Sequence, residues 1–333
     1  CKIAHPFYIR KLGMFFEGSE KKAEILIDTN KLSLLDDISD EFWSALVNCS
    51  QAKILSSIRN EYCKAFLLSE SSLFVWQDRL LILTCGETQL VKAVEYFIQN
   101  LGSDVIKHLT YQRKNEYFAN AQPSCFGDDI KLIHHYLPGK AYRFGEMDSH
   151  HNYVFHIDND FVATADDITY EFLAYQISEK ASQHLTQPNL TKQDIREFLR
   201  LDSLLPEFII DDFVFSPYGY SLNAIHEQRY LTIHVTPQMD SSYISFESNL
   251  DLLALAPTLI DILAPQSFDL MSFNANNFES KLAQYIPAQY VSKSRVSKQL
   301  DNGYLVNFAN YILPQTTFIE PIELDVLGEN HAL

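Results

Sequence analysis

Two stretches of this chain share one plan, in which short strand-like runs lead into a helix. At 61–68, 72–76 and 79–84 apolar residues alternate or come in short blocks, and a helix then runs from after Cys85-Gly86 to about Asn100, closed by Gly102. Strand-like runs recur at 208–215, 229–236 and 242–247, followed by a helix over 250–264. Strands joined by short connections pair antiparallel and need cover on at least one face. The plan therefore predicts an α+β fold, with two antiparallel sheets each covered by helices and an internal duplication. No Gly-, Ser- or Pro-rich linker separates the halves, so the expected organisation is a single domain over 1–333 with two similar lobes.

Between these stretches, 22–29 reads as a strand, 40–49 as a short helix, 128–137 as a helix and 140–158 as two strands. The segment 165–185 reads as an amphipathic helix with Asp166 and Asp167 in its first turn, where negative charge suits the helix dipole. TKQDIREFLRL is a further short helix, and Asp301-Asn302-Gly303 marks the turn of a last hairpin.

Composition narrows the function. The formal charge of −17 repels phosphate backbones and anionic lipid, which argues against nucleic acid and membrane as partners and suits a cationic small molecule. Five cysteines, at 1, 49, 63, 85 and 125, show no C-x-x-C spacing, so neither a metal site nor a disulfide framework is expected, and a reducing cytoplasm is the natural setting. No apolar run reaches membrane length, and the N-terminal segment does not read as a signal peptide.

The segment LLSESSLFV (67–75) sets three serines and a glutamate between two strand-like runs. It reads either as a polar hairpin turn or as a strained peptide link primed for attack by a serine hydroxyl. Attack by Ser71 on the carbonyl of Glu70 would convert the amide to an ester, and loss of the Ser71 α-proton would eliminate that ester. Dehydroalanine would remain and hydrolyse to a pyruvoyl group. Such chemistry needs a base and oxyanion donors. Cys85, at the end of a strand and before a helix, is either a small buried hydrophobe or a reactive thiol. In YLTIHVTP (230–237), Leu231, Ile233 and Val235 share one face while Thr232, His234 and Thr236 share the other, leaving His234 on a polar face. Ser221 lies in FSPYGYSLN (215–223). Glu17 and Glu20 follow two aromatics in FFEGSEKKAEILI, either as a charged loop or as carboxylates facing a cation, with Phe16 offering a π-face.

Taken together, FFEGSEKKAEI, LLSESSLFV with LTCGETQLVKAV, YQRKNEYF, PYGYSLN, TIHVTP and SYISFESNL, in this order, resemble the eukaryotic-type S-adenosylmethionine decarboxylases, the pyruvoyl enzymes of polyamine synthesis. The resemblance runs from about residue 15 to about 310 and implies a four-layer αββα sandwich. It implies self-cleavage between Glu70 and Ser71 into a β chain of 1–70 and an α chain of 71–333, with the pyruvoyl group made from Ser71 and acting through a Schiff base. His234 would be the base of processing, Ser221 its partner, and Cys85 the acid that reprotonates product. Glu17 and Glu20 would serve as active-site carboxylates. Phe16 and Phe215 would stack on adenine, and Glu70 and Gln238 would line the substrate site. The family usually has Glu where Gln238 stands. Leu83 replaces a lysine of the putrescine-activated branch, whose acidic partners match Glu24, Asp167, Glu171 and Glu247, so a diamine would bind differently or not at all. A homodimer of two-chain units is the expected assembly. The alternatives are a pyruvoyl decarboxylase of ornithine or arginine, or a non-catalytic regulatory homologue.

Overall fold

The computed structural model describes residues 20–114, 116, 119–237 and 242–318. They form two eight-stranded antiparallel sheets with helices on the outer faces. The first sheet holds β1 (Lys21–Ile27), β2 (Ile54–Arg59), β3 (Cys63–Leu68), β4 (Ser71–Trp76), β5 (Arg79–Thr84), β6 (Ile106–Lys114), β7 (Gly139–Gly145) and β8 (His151–Ile157). The second holds β9 (Thr169–Tyr175), β10 (Ile209–Val214), β11 (Tyr220–His226), β12 (Arg229–Thr236), β13 (Tyr243–Ser248), β14 (Ser267–Phe273), β15 (Val291–Gln299) and β16 (Leu305–Ile312). Their spatial orders, β2-β3-β4-β5-β1-β6-β8-β7 and β10-β11-β12-β13-β9-β14-β16-β15, are the same pattern shifted by eight. The duplication expected from the recurring plan is present in the topology.

Each sheet buries its apolar face under its own helices. Trp43, Leu46 and Val47 of α1 (Asp40–Cys49), Val94 and Phe97 of α2 (Leu90–Leu101) and Ile133 of α3 (Phe126–Tyr136) pack on Ala23, Ile25, Leu73, Val75 and Ile82. On the second sheet, Leu222, Leu231, Ile233 and Phe246 lie under α4 (Glu179–Leu185), α5 (Lys192–Phe198), α6 (Leu201–Leu204), α7 (Leu252–Leu263) and α8 (Phe278–Tyr285). The alternation Leu231-Thr232-Ile233-His234-Val235 sends the apolar residues outward to the helices and the polar ones inward to the other sheet. The gap between the sheets is accordingly rich in charged and hydroxyl groups.

Segment 165–185 differs from its helical reading. Residues Thr169–Tyr175 are strand β9, and only Glu179–Leu185 are helical. β9 is a central strand, paired with both β13 and β14 and buried along its whole length. A strand covered on both faces loses the period-two pattern that would have announced it. Asp167 therefore does not serve a helix dipole but turns toward Arg79, 2.6 Å away. β6 and β14, also central, carry no clear alternation either. The turn at Asp301-Asn302-Gly303 joins β15 and β16, as its residues predict. No helix among the described residues is long and apolar enough to cross a membrane.

Candidate active site

β3 and β4 are joined by two residues only, Ser69 and Glu70. Ser71 emerges from that turn at φ +140°, a region an L-residue with a Cβ avoids. Holding a residue there costs about 1–3 kcal/mol, which the paired strands on either side must supply. Successive strand residues normally point to opposite faces. Here both Ser71 Oγ and Ser72 Oγ reach the same imidazole nitrogen, His234 Nε2, at 2.8 and 3.2 Å. The turned backbone of Ser71 brings its hydroxyl round to that face.

The opposing half of the site comes from β11 and β12. Ser221 and His234 are direct partners in the antiparallel register, so their side chains share the inner face, and Ser221 Oγ lies 2.9 Å from His234 Nδ1. Burial pushes the imidazole down to about 4; nearby Glu20 pulls it up and Lys114 pushes it further down. At neutral pH it is an uncharged ring with a lone pair to offer. The carbonyl of Glu70 accepts from the backbone N–H of Cys85 at 3.0 Å and from its thiol at 3.4 Å. Two donors thus polarise the carbonyl next to the Ser71 hydroxyl.

Cys85 follows β5, as the sequence predicts, but α2 begins only at Leu90. The field of a helix terminus fades within one turn, so the dipole argument for a reactive thiol does not hold here. What the structure offers Cys85 instead is the Glu70 carbonyl and the loop held by Lys21, whose Nζ donates to the Gly86 carbonyl at 2.8 Å. Burial and the Arg113 charge push Lys21 down to about 8.

Glu20 is buried and paired with Lys114 at 2.8 Å, with Ser245 also donating to it. It is a partnered interior group. Glu70 and Phe215 line a small cavity of about 50 Å³ with Ser71, Cys85, Ser221 and His234. Phe215, Tyr218 and Val235 also border a larger one of about 340 Å³. Gly219, at φ +135°, lets this loop close: its carbonyl accepts from the Phe215 N–H at 2.8 Å, and a Cβ would stand 3.2 Å from that of Phe215. Phe16, Glu17 and Gln238 lie outside the described residues.

The carboxylates expected to form a diamine site come together between the sheets, already paired. Lys22 is fully buried, 3.0 Å from Glu171 and 2.8 Å from Glu247. Lys114 reaches Glu171 at 3.3 Å, and Arg79 reaches Glu24 at 3.3 Å and Asp167 at 2.6 Å. Burial works against the charge on Glu171, yet Lys114 and Lys22 hold it well below the usual range; burial pushes Glu247 up, with Lys22 opposing. Lys22 stands directly across the strand pair from Leu83, so an ammonium remains in the gap one strand away from the missing one. A cavity of about 560 Å³ opens beside Glu24 and Asp167, and His234 is not among its lining residues. Sequence reading missed Lys22, Lys114, Arg79, Thr232 and Asn223. The alternation of Lys22 and Glu24 with Ala23 and Ile25 was the signal for the first of these.

Fold and site together define a class: a duplicated two-sheet sandwich whose gap brings a strained serine and a thiol from one half against a buried imidazole from the other. The model of the family described as adenosylmethionine decarboxylase matches residues 13–312, and the chain belongs to that enzyme family. Among curated relatives, the S-adenosylmethionine decarboxylase proenzyme of Trypanosoma cruzi is 29% identical over 331 residues, covering 90% of this chain and 89% of its own length. The proenzyme of the same name from Xenopus laevis is 32% identical over 273 residues, covering 76% and 82%. A crystal structure of a Trypanosoma brucei AdoMetDC-delta26 monomer superimposes with a TM-score of 0.56 at 22% identity, covering 73% of this chain and 99% of that one, a likeness of fold.

Proposed function

We propose that this chain cleaves itself between Glu70 and Ser71 into chains of 1–70 and 71–333, and that it then decarboxylates S-adenosylmethionine with a pyruvoyl group derived from Ser71. The product would be the aminopropyl donor for spermidine and spermine synthesis. One observation carries the reading: a hydroxyl on a strained backbone touches a neutral imidazole, beside a carbonyl already held by two donors.

The steps balance on the chain's own atoms. The Ser71 hydroxyl proton passes toward the peptide nitrogen as Oγ bonds to the Glu70 carbonyl carbon, and the Cys85 N–H and thiol stabilise the oxyanion. The C–N bond breaks as nitrogen takes the proton, which leaves an ester. His234, held by Ser221, then removes the Ser71 α-proton; the Cβ–O bond breaks and the Glu70 carboxylate departs. Water replaces the nitrogen as ammonia, leaving the ketone. These residues therefore fit a self-made pyruvoyl group. When bound to substrate, that group supplies an electron sink for loss of CO₂. Cys85 Sγ hands a proton to the product carbon in this reading. Phe215 and the cavity of about 340 Å³ are the place for the adenosine part, and the acidic protein suits a sulfonium.

In this reading no putrescine is needed, because Lys22, Lys114 and Arg79 already supply the cations of the carboxylate cluster. Gln238 in place of the family's Glu favours a second reading, decarboxylation of ornithine or arginine. Ser71, Ser221 and His234 are all in contact, which weighs against a non-catalytic homologue. Intact-mass measurement should show two fragments split before Ser71, and CO₂ release from each candidate substrate, with and without putrescine, should be seen with S-adenosylmethionine alone. Wild-type protein that stays whole after long incubation would refute the reading.

A further inference from the structure

We propose that Asn223 is a positioning residue for self-cleavage, acting through Ser72 and Thr232 to keep the His234 Nε2 lone pair open to Ser71. The inference rests on the self-cleavage reading above and goes beyond it.

Three hydroxyls crowd one nitrogen. His234 Nε2 has Ser71 Oγ at 2.8 Å, Thr232 Oγ1 at 2.9 Å and Ser72 Oγ at 3.2 Å. A neutral imidazole accepts one proton at that nitrogen. If Ser72 or Thr232 donates to it, the lone pair is closed to Ser71, and the α-proton that must leave before the chain can part has no base. The contest has to be settled before cleavage can begin.

Asn223 settles it by proton counting. It sits on β11 directly opposite Thr232 on β12, so both side chains face the gap, and it is completely buried. Its carbonyl Oδ1 accepts the Ser72 hydroxyl at 2.6 Å. Ser72 has a single proton, and that bond uses it. Toward its other neighbours Ser72 Oγ can then only accept, and Thr232 Oγ1 lies 3.0 Å away with a proton to place. With Thr232 donating to Ser72 and Ser72 to Asn223, Ser71 is the hydroxyl left to donate to Nε2. On the other side of the ring, Nδ1–H donates to Ser221 Oγ at 2.9 Å. Among the described residues the Asn223 amide nitrogen has no partner, so the side chain is retained in this dry place for its oxygen.

The test compares two replacements at one site. Asn223→Leu keeps the size, removes the acceptor and releases the Ser72 proton to compete at Nε2. Asn223→Asp keeps an acceptor that cannot donate when ionised, at the expense of a buried charge. A purely structural asparagine should tolerate Leu better than Asp. The proton chain predicts the reverse order for the reaction. With precursor cleavage followed by intact mass at about pH 8, Asn223→Leu should cleave roughly 5- to 10-fold more slowly than wild type, the scale of one misdirected neutral hydrogen bond. Asn223→Asp should cleave faster than Asn223→Leu although its melting temperature is lower. A second arm uses the Ser72→Ala/Thr232→Val background, which lacks both rival donors; there Asn223→Leu should change the rate by less than about twofold. The inference is overturned if folded Asn223→Leu cleaves as fast as wild type, if Asp is slower than Leu, or if the Leu effect persists in that background. Wild type that does not cleave would instead overturn the self-cleavage reading.

Discussion

In the first sheet β4 lies between β3 and β5, and in the second β12 lies between β11 and β13, the same place in the repeated order. β4 enters from a two-residue turn with Ser71 at φ +140°, whereas His234 sits well inside β12, paired on both sides with Ser221 and Ser245. One half stores strain at Ser71; the other holds the imidazole on a regular lattice where it cannot drift. Across the gap the halves differ again. Lys22, Lys114 and Arg79 come from the first sheet; Glu171 and Glu247 reach them from the second and Asp167 from the segment before β9, while Glu20 and Glu24 pair with Lys114 and Arg79 within the first half. Duplication supplied two similar scaffolds, and complementary substitution on their facing surfaces made them one site.

The largest effect expected is from Ser71→Ala, which should remain one chain with no pyruvoyl product by intact mass; any split there would show that the strained turn breaks without its hydroxyl. His234→Ala removes the second sheet's contribution and should slow chain breakage by about 10²–10⁴-fold, with accumulated ester revealed by hydroxylamine cleavage. If cleavage stays fast, the base does not lie on β12. Lys22→Met leaves Glu171 and Glu247 buried with one cation fewer and should cost about 3–5 kcal/mol in urea unfolding. A loss below about 1 kcal/mol would mean the charge pairs do not tie the sheets together.

The smallest effect is in pH. His234 titrates near 4, so cleavage should be flat from about pH 8 to 5 and half lost near pH 4. A midpoint near the ordinary 6.5 would place the ring in solvent. Burial likewise pushes His108, at the far end of the gap, down to about 3, with His156 adding to the effect. Both rings bind protons more readily when unfolded. The stability they contribute is complete above about pH 6.5 and declines as pH falls toward 4, which thermal melts across that window should record.

The site was legible where residue type and strand parity carry it. LLSESS, Cys85, Ser221 and the polar face of β12 could be read from the chain, because a serine before a base-rich strand and a two-period alternation are local facts. Glu24, Asp167, Glu171 and Glu247 could be listed together only through resemblance. That they arrive already neutralised by Lys22, Lys114 and Arg79 is a matter of which strands face each other.

By itself the sequence determined two antiparallel lobes, a serine-rich turn between strands and a histidine on a polar strand face, since local pattern and side-chain chemistry set these. Tertiary structure alone decided that 169–175 is a strand, that Cys85 meets the Glu70 carbonyl instead of a helix terminus, and that Asn223 lies against Ser72. These depend on contacts between residues 15 to 163 positions apart, whose geometry exists only once the two sheets face each other.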